Sequence, residues 1–452
     1  MNIVPFVHEG LGNSSYLVGL GNGEAGLIDP DRSVRRYLQA AEAKAWKITH
    51  VFETHLHADF VSGALEIRAA TGAELFVPAG AEAHFPHRPL GAGDEIPLAG
   101  ATMTTVASPG HTPEHSSYVM RRDGHPPALF SGGSLLVGGA ARTDLITPEM
   151  TDTLTRAQFH TIQSAFQDLP DETVLLPTHG GGSFCSAGAS GERTSTLGFE
   201  RRTNELLRKQ SEDAFARWFP TTFPAAPSYF FRLRPVNQHG ARLRATIPPP
   251  PRLSAADFDR LRGDARVIDL RPQADFMAGH VPESMSNTFR DSFATWLGWL
   301  VPEDVPLLFV LGDEPLERVL DECLLVGYER FAGVLDGGMR AWFEAGLPVV
   351  RAQLADTGEV RSLASGAAVL VDVRERNEFE EGHIAGSLHI PLGELERRSA
   401  EIPRGRPVVT YCGHGERAAT GLSLLERLGF APLTNLNGGI EAWEAAGYEV
   451  AR

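Results

Sequence analysis

The chain alternates apolar runs with polar, turn-forming stretches, and the spacing of these runs marks out two kinds of territory. Up to about residue 245, short runs such as SSYLVG, AGLID, THVFET, ELFVP, MTTVAS and PALFSG are separated by turns and by helical patterns such as VRRYLQAAEA. From about residue 252 a longer pattern sets in. A β-branched run ends in Asp-x-Arg, helical spacing follows, then a second apolar run (PLLFVLG, later RPVVTYCG) and another helix. Strands that alternate with helices predict parallel sheets covered on both faces.

This second pattern occurs twice. VIDLRPQADFMAGHVPES (267–284) aligns with LVDVRERNEFEEGHIAGS (370–387), so Asp269, Arg271, Phe276, Gly279, His280 and Ser284 recur as Asp372, Arg374, Phe379, Gly382, His383 and Ser387. LDGGMRAWFEAGLPV and LNGGIEAWEAAGYEV then match in the same order. The expected organisation is an α/β domain over 1–245, with a helical extension at 192–235, followed by α/β copies over 252–350 and 358–452. The proline-rich IPPPPRLS (247–254) is a stiff linker ahead of the first copy.

Composition narrows the function. A formal net charge of −16 leaves no basic footprint and argues against a nucleic-acid partner. No apolar run approaches the roughly 20 residues that cross a bilayer, and the first residues lack an export pattern. Three cysteines in 452 residues cannot form a disulfide framework. Together these predict a cytoplasmic protein without a membrane partner; the oligomeric state stays open, a homo-oligomer included.

The strongest chemical signal is TYCGHGERAATGLSLLERLG (410–429). A strand ends at Tyr411, Cys412 follows, and an amphipathic helix begins a few residues later. A thiol at a helix N-terminus faces unpaired backbone N–H groups and the positive end of the helix dipole, which favour the thiolate. Gly413 and Gly415 let the loop curl around an anion, Gly413, His414, Gly415 and Glu416 are the expected substrate-binding positions, and Arg417 adds a fixed positive charge or anchors the loop. The loop resembles that of the rhodanese sulfurtransferases, C-x-x-G-x-R from Cys412 to Arg417, between the Asp-x-Arg strand and NGGIEAW. The resemblance implies that Cys412 takes a sulfane sulfur as a persulfide. Thiosulfate or a glutathione or other low-molecular-weight persulfide would be the donor, and a thiol the acceptor. The first copy has Leu311 where the second has Cys412, followed by acidic Asp313 and Glu314, and is expected to be inactive. Cys323 has core spacing, and His280 and His383 recur in both copies, so all three read as structural.

The first domain carries THLHADF (His55, His57, Asp59), SPGHTPEHSSY (His111), FSGGSLLVGGAARTDL and LPTHGGG (His179). In that order these motifs resemble the metallo-β-lactamase fold, an αββα sandwich. With HGGGSFC, GFERRTN and the domain order, they resemble persulfide dioxygenases fused to an inactive and an active rhodanese. That resemblance implies Fe(II) held by two histidines, His55 and His111, and a carboxylate. Two residues depart from it. Phe60 stands where the first motif has a last histidine, and Gly133 stands where the ligating aspartate belongs. Three outcomes stay open: iron or zinc on His55, His57 and His111 with Asp59 and His179 as weaker ligands, or no metal. An aspartate at 133 is expected to point at the metal. His8, His84, His87, His115 and His125 are expected at the surface, and Cys185 reads either as a sulfur relay beside His179 or as a surface-loop thiol. The leading function is sulfur transfer through Cys412. The alternatives are a bifunctional enzyme that also oxidises thiol persulfide to sulfite at iron, and a non-catalytic docking scaffold.

Overall fold

The protein is described by a computed structural model that covers every residue except 190, 209, 210 and 367. It divides into two compact units, residues 1–247 with 321–327, and 248–320 with 328–452.

The first unit stacks two six-stranded sheets. One runs Ile3–His8, Asn13–Gly21, Glu24–Ile28, Lys47–Phe52, Glu74–Pro78 and Arg88–Leu90 in spatial order. The other runs Ser195–Thr196, Val174–Pro177, Ala128–Gly132, Ser116–Arg121, Ala101–Ala107 and Glu95–Leu98. Strand side chains alternate between faces, so each sheet feeds two cores. Tyr16, Val18, Phe52 and Phe76 meet Met103, Tyr118, Met120 and Phe130 between the sheets. The opposite faces are covered by helices. Leu17, Leu27, Val51 and Leu75 pack under Tyr37, Ala41 and Ile67, while Val119, Leu129 and Leu175 pack under Phe166 and Leu197. This is the αββα sandwich that the motif order implied. The extension expected at 192–235 contains helices Leu197–Thr203 and Glu212–Trp218 and leads into Phe230–His239.

The second unit holds two five-stranded parallel sheets with the same strand order. In the first copy the order is Arg252–Leu253, Phe331–Leu335, Leu307–Val310, Arg266–Asp269, Met285–Ser286. In the second it is Gln353–Ala355, Leu433–Leu436, Val408–Tyr411, Val369–Asp372, Leu388–His389. The shared sequence landmarks make the same contacts. Asp269 binds Arg271, whose guanidinium also donates to Gly279 O at 2.9 Å; Asp372 binds Arg374, which donates to Gly382 O at 2.6 Å. His280 stacks on Phe276 at 3.7 Å and His383 on Phe379 at 3.8 Å, which gives both histidines the structural role that their recurrence suggested. Among the described residues no helix is long and apolar enough to cross a membrane.

Candidate functional site

In the second rhodanese-like copy, strand Val408–Tyr411 delivers Cys412 to the start of helix Glu416–Arg427. The thiol is buried, and Gly415 N–H donates to its sulfur at 3.1 Å. Gly415 takes φ +116°, a backbone that favours glycine. The turn between strand Leu433–Leu436 and helix Gly439–Ala445 clasps the loop from outside. Ile440 N donates to Cys412 O at 2.8 Å, and a Cβ on Gly439 would lie 2.3 Å from that same oxygen, so a side chain there has no room.

Arg417 is already engaged. Its two terminal nitrogens donate to the two carboxylate oxygens of Glu378, both at 2.6 Å. Burial alone would raise the Glu378 carboxyl, but these hydrogen bonds and the guanidinium charge outweigh it and hold the group below the usual range. Of the two roles expected for Arg417, the pairing fits the loop anchor; its charge is largely neutralised for any incoming anion. His414 is exposed and its Nδ1 lies 3.1 Å from Glu441, so the ring points along the surface. Glu416 opens the helix.

The first copy has a different loop. After strand Leu307–Val310 comes Leu311, and the Glu314 carboxylate accepts from Gly312 N at 3.0 Å. The loop thus spends an amide on its own carboxylate.

In the first unit, strand Lys47–Phe52 runs into the loop bearing Glu53, His55, His57 and Asp59, all buried. The ligand atoms of His55, His111 and His179 lie within 4.8 Å of one another. Their protons are held on the far side of each ring. Thr54 donates its hydroxyl to Asp29 at 2.7 Å and so receives His55 Nδ1–H at 2.9 Å. His111 Nδ1–H donates to Arg142 O at 2.6 Å, and His179 Nδ1 lies 3.1 Å from Asn13 Oδ1 and 3.2 Å from Asp59 Oδ2. All three Nε2 lone pairs therefore face inward. His111 Nε2 is buried without a partner, and the Nε2 atoms of His55 and His179 stand 3.4 Å apart. Facing lone pairs repel unless a cation lies among them, so these residues fit a metal ion. Burial and the neighbouring imidazoles keep His55 far below its ordinary pKa and His111 at about 3, which leaves both rings neutral and able to ligate.

His57, expected to ligate with His55 and His111, packs 4.2 Å from the His55 ring and directs its Nε2 to carboxylates. Its Nε2 lies 3.1 Å from Glu53 and 3.3 Å from Asp29. Burial opposes its charge, but the two carboxylates prevail and push its pKa up to about 10. With Nε2–H held by these carboxylates, Nδ1, which is buried without a partner, is the nitrogen His57 has to offer a metal. Phe60 stacks on the His57 ring at 4.2 Å, filling the place of the missing histidine. Among the described residues three buried groups bring ligand atoms within 4.8 Å: His55, His111 and His179; His57, Asp59 and His179; and Asp29, Glu53 and His57. The first turns three imidazole nitrogens toward one point.

Three further expectations change. His115, expected at the surface, is buried; its Nε2 accepts from Gly133 N at 2.9 Å and its ring stacks 4.9 Å from His55. Its place directly before the buried strand Ser116–Arg121 was the available signal. Cys185 is no surface thiol: it is fully buried, and burial and the Asp59 charge push its pKa far up. A Cβ on Gly133 would lie 2.6 Å from the His111 ring, so the ring occupies the space into which an aspartate was expected to project. Residues outside the motifs complete the setting. Asn237 donates to His57 O and Phe60 O, both at 2.8 Å, and Arg234 binds Glu114 through both nitrogens. A small, mainly apolar cleft lies beside His55 and His57, walled by Leu65, Phe85 and Asn237.

Comparison with known proteins agrees with this architecture. The Rhodanese-like domain family matches residues 254–345 and 356–446, and the Metallo-beta-lactamase superfamily matches 8–179. Thiosulfate sulfurtransferase GlpE of Coxiella burnetii is 36% identical over 77 residues, which are 17% of this chain and 72% of that protein. The chain belongs to the rhodanese family. Its rhodanese domains follow a metallo-β-lactamase domain, and that domain has relatives of its own. A hydroxyacylglutathione hydrolase of Hyphomonas neptunium is 37% identical over 175 residues, 37% of this chain; the chain spans 62% of that relative's length. The crystal structure of a metallo-β-lactamase from Staphylococcus aureus superposes with a TM-score of 0.66 and 27% identity, covering 74% of this chain and 98% of that one. The rhodanese domains tie this protein to sulfur chemistry and to sulfurtransferase-type enzymes at the family level.

Proposed function

We propose that the chain is a sulfurtransferase that carries sulfane sulfur on Cys412. The observation that carries the reading is the Cys412 sulfur beneath the Gly415 amide, 3.1 Å away, at a helix N-terminus. These dipoles stabilise a thiolate and then the persulfide anion that replaces it. With thiosulfate as donor, the thiolate attacks the outer sulfur. A new S–S bond forms, the bond to the sulfonate sulfur breaks, and sulfite leaves with its electron pair. An acceptor thiolate attacks the terminal sulfur of the persulfide, takes it, and returns Cys412 as thiolate. No oxidant is needed. The test is sulfur transfer from thiosulfate to cyanide together with the intact mass of the protein. The chain should gain one sulfur atom, and Cys412→Ser should abolish both signals while Cys323→Ser preserves them. Activity retained in the Cys412 variant rejects the assignment.

A second activity is favoured by the three inward lone pairs of His55, His111 and His179. We read them as holding one iron or zinc ion, whose chemistry when bound is to polarise a substrate or to activate oxygen or water. Phe60 and Gly133 stand where a two-metal hydrolase would have ligands, which disfavours that reading. Oxygen uptake with glutathione persulfide separates a persulfide-oxidising domain from one without that activity.

A further inference from the structure

The rhodanese loop lacks a free cation: the expected one, Arg417, is spent on Glu378. A dianionic donor such as thiosulfate, approaching a thiolate, needs positive charge near its oxyanion end, because two anions otherwise repel inside a partly buried site. The inactive copy is placed to supply it.

That copy packs directly on the Cys412 loop and its helix. Phe276 and Met277 share a core cluster with Ala419 and Leu422 of helix Glu416–Arg427, and Ser286 N donates to Ser423 Oγ at 3.1 Å. Asn435 Nδ2 bridges the two domains, donating to Gln273 Oε1 at 2.9 Å and to Gly415 O at 3.1 Å. A Cβ on Gly415 would lie only 2.5 Å from the Gln273 amide oxygen, so the cysteine loop and the inactive copy touch.

Beyond Ser286 the inactive copy runs along the C-terminal rim of its own sheet. Asn287 N donates to Asp269 O at 2.9 Å and Phe289 N to Leu270 O at 3.1 Å. The next residue is Arg290. From Ser423 back to Glu416 is seven residues of helix, about 10 Å, a distance that four extended residues from Ser286 can span. Arg290 is half-buried, and the charged groups acting on it are Glu416, Cys412, Arg417 and Asp291. Among the described residues its guanidinium has no hydrogen-bond or ion-pair partner, whereas Arg271, Arg374 and Arg417 are all paired.

We propose that Arg290, from the catalytically silent copy, forms an anion subsite at the Cys412 loop and binds the oxyanion end of an oxyanionic sulfane donor. The inactive copy thereby contributes to donor recognition although it carries no sulfur itself. This rests on the sulfurtransferase reading of Cys412. In the transfer step Arg290 neither gains nor loses a proton. It holds the group that departs as sulfite while Cys412 attacks the neighbouring sulfur, and a planar guanidinium suits two oxygens of that group.

The test uses the full chain with two donors that carry the same outer sulfur but differ in charge, thiosulfate (a dianion) and methanethiosulfonate (a monoanion). Arg290→Gln should raise KM for thiosulfate about tenfold with kcat within about twofold, and raise KM for methanethiosulfonate distinctly less. Arg290→Lys, which keeps the charge, should recover most of the thiosulfate affinity. An unchanged KM, or equal losses for both donors without rescue by lysine, overturns the subsite. Calorimetric titration of Cys412→Ser with sulfite reads the subsite without turnover; binding should weaken about tenfold when Arg290→Gln is added. If wild type shows no transfer while sulfite binding still depends on Arg290, the reading of Cys412 fails and the subsite stands. If transfer is normal and sulfite binding ignores Arg290, the reading stands and the subsite fails.

Discussion

Arg417 and Glu378 face each other through two hydrogen bonds of 2.6 Å, from residues 39 positions apart in the chain. The pair ties the helix that follows the cysteine loop to the helix Arg376–Glu381 after the Asp-x-Arg strand. It is a bidentate, charge-assisted contact, worth roughly 1.5–3 kcal/mol when its geometry is fixed.

Glu378→Gln should therefore lower stability by about 1–3 kcal/mol at neutral pH. The pH dependence has a definite sign. The folded-state carboxyl lies below its ordinary value, so its contribution is fully present above the ordinary glutamate pKa. It fades as pH falls through the lowered folded value. Thermal unfolding of wild type and variant between pH 3 and pH 7 (on the order of the range where glutamates titrate) should show the difference shrinking toward acid. A difference that grows toward acid contradicts the assignment.

The two histidine groups of the first domain should respond oppositely to substitution. His179→Gln removes one of three converging nitrogens and should weaken metal retention at least about tenfold with a modest change in stability. His57→Gln removes the counter-charge of Glu53 and Asp29, both buried, and should cost about 3–5 kcal/mol while the folded protein keeps its metal. Metal per chain and thermal midpoint, measured on the same preparations after loading with iron or zinc, decide it. Loss of metal from His57→Gln with retention in His179→Gln reverses the ligand assignment.

Leu311→Cys should not awaken the silent copy. Glu314 already accepts the Gly312 amide, and burial raises its own carboxyl pKa, so the loop faces a new thiol with acid rather than with free donors. Incubation of Leu311→Cys/Cys412→Ser with thiosulfate should leave the mass unchanged. Gain of a sulfur atom would show that the loop adapts.

Much of this architecture was readable in the sequence because it depends on local pattern. Asp269–Arg271 and Asp372–Arg374 are two residues apart, and such pairs form whenever the strand end does. Phe276–His280 and Phe379–His383 have helical spacing and stack in both copies. What stayed hidden depends on partners far away in the chain. His57 stands in a metal-binding motif, yet its ring goes to Asp29 and Glu53 because two buried carboxylates bind a proton on it more strongly than burial opposes one. His179 joins His55 across 124 positions, and His115 is buried by the approach of the Gly133 backbone, neither of which periodicity can express.

Gly133 gives the sharpest contrast between the two readings. Sequence resemblance alone implies that Gly133→Asp restores a missing ligand and increases bound metal. The structure implies the reverse. The Cβ at 133 would lie 2.6 Å from His111 Cδ2, 2.9 Å from its Cγ and 3.0 Å from the Ala141 methyl, closer than side chains pack. His111 is not free to retreat, because its Nδ1–H is held by Arg142 O at 2.6 Å. The Gly133 amide in turn is held by His115 at 2.9 Å and its carbonyl by Ala141 N at 2.9 Å, so the backbone resists moving too. The strain should cost about 1–3 kcal/mol, and it falls on a ring that supplies a ligand nitrogen. Gly133→Asp should therefore lower the thermal midpoint and leave metal per chain equal to or below wild type when both are loaded anaerobically with the same Fe(II). Gly133→Ala, which adds the clash without the charge, should destabilise in the same direction. An increase in bound iron in the aspartate variant, with stability maintained, would mean that His111 yields and that the carboxylate takes up the metal.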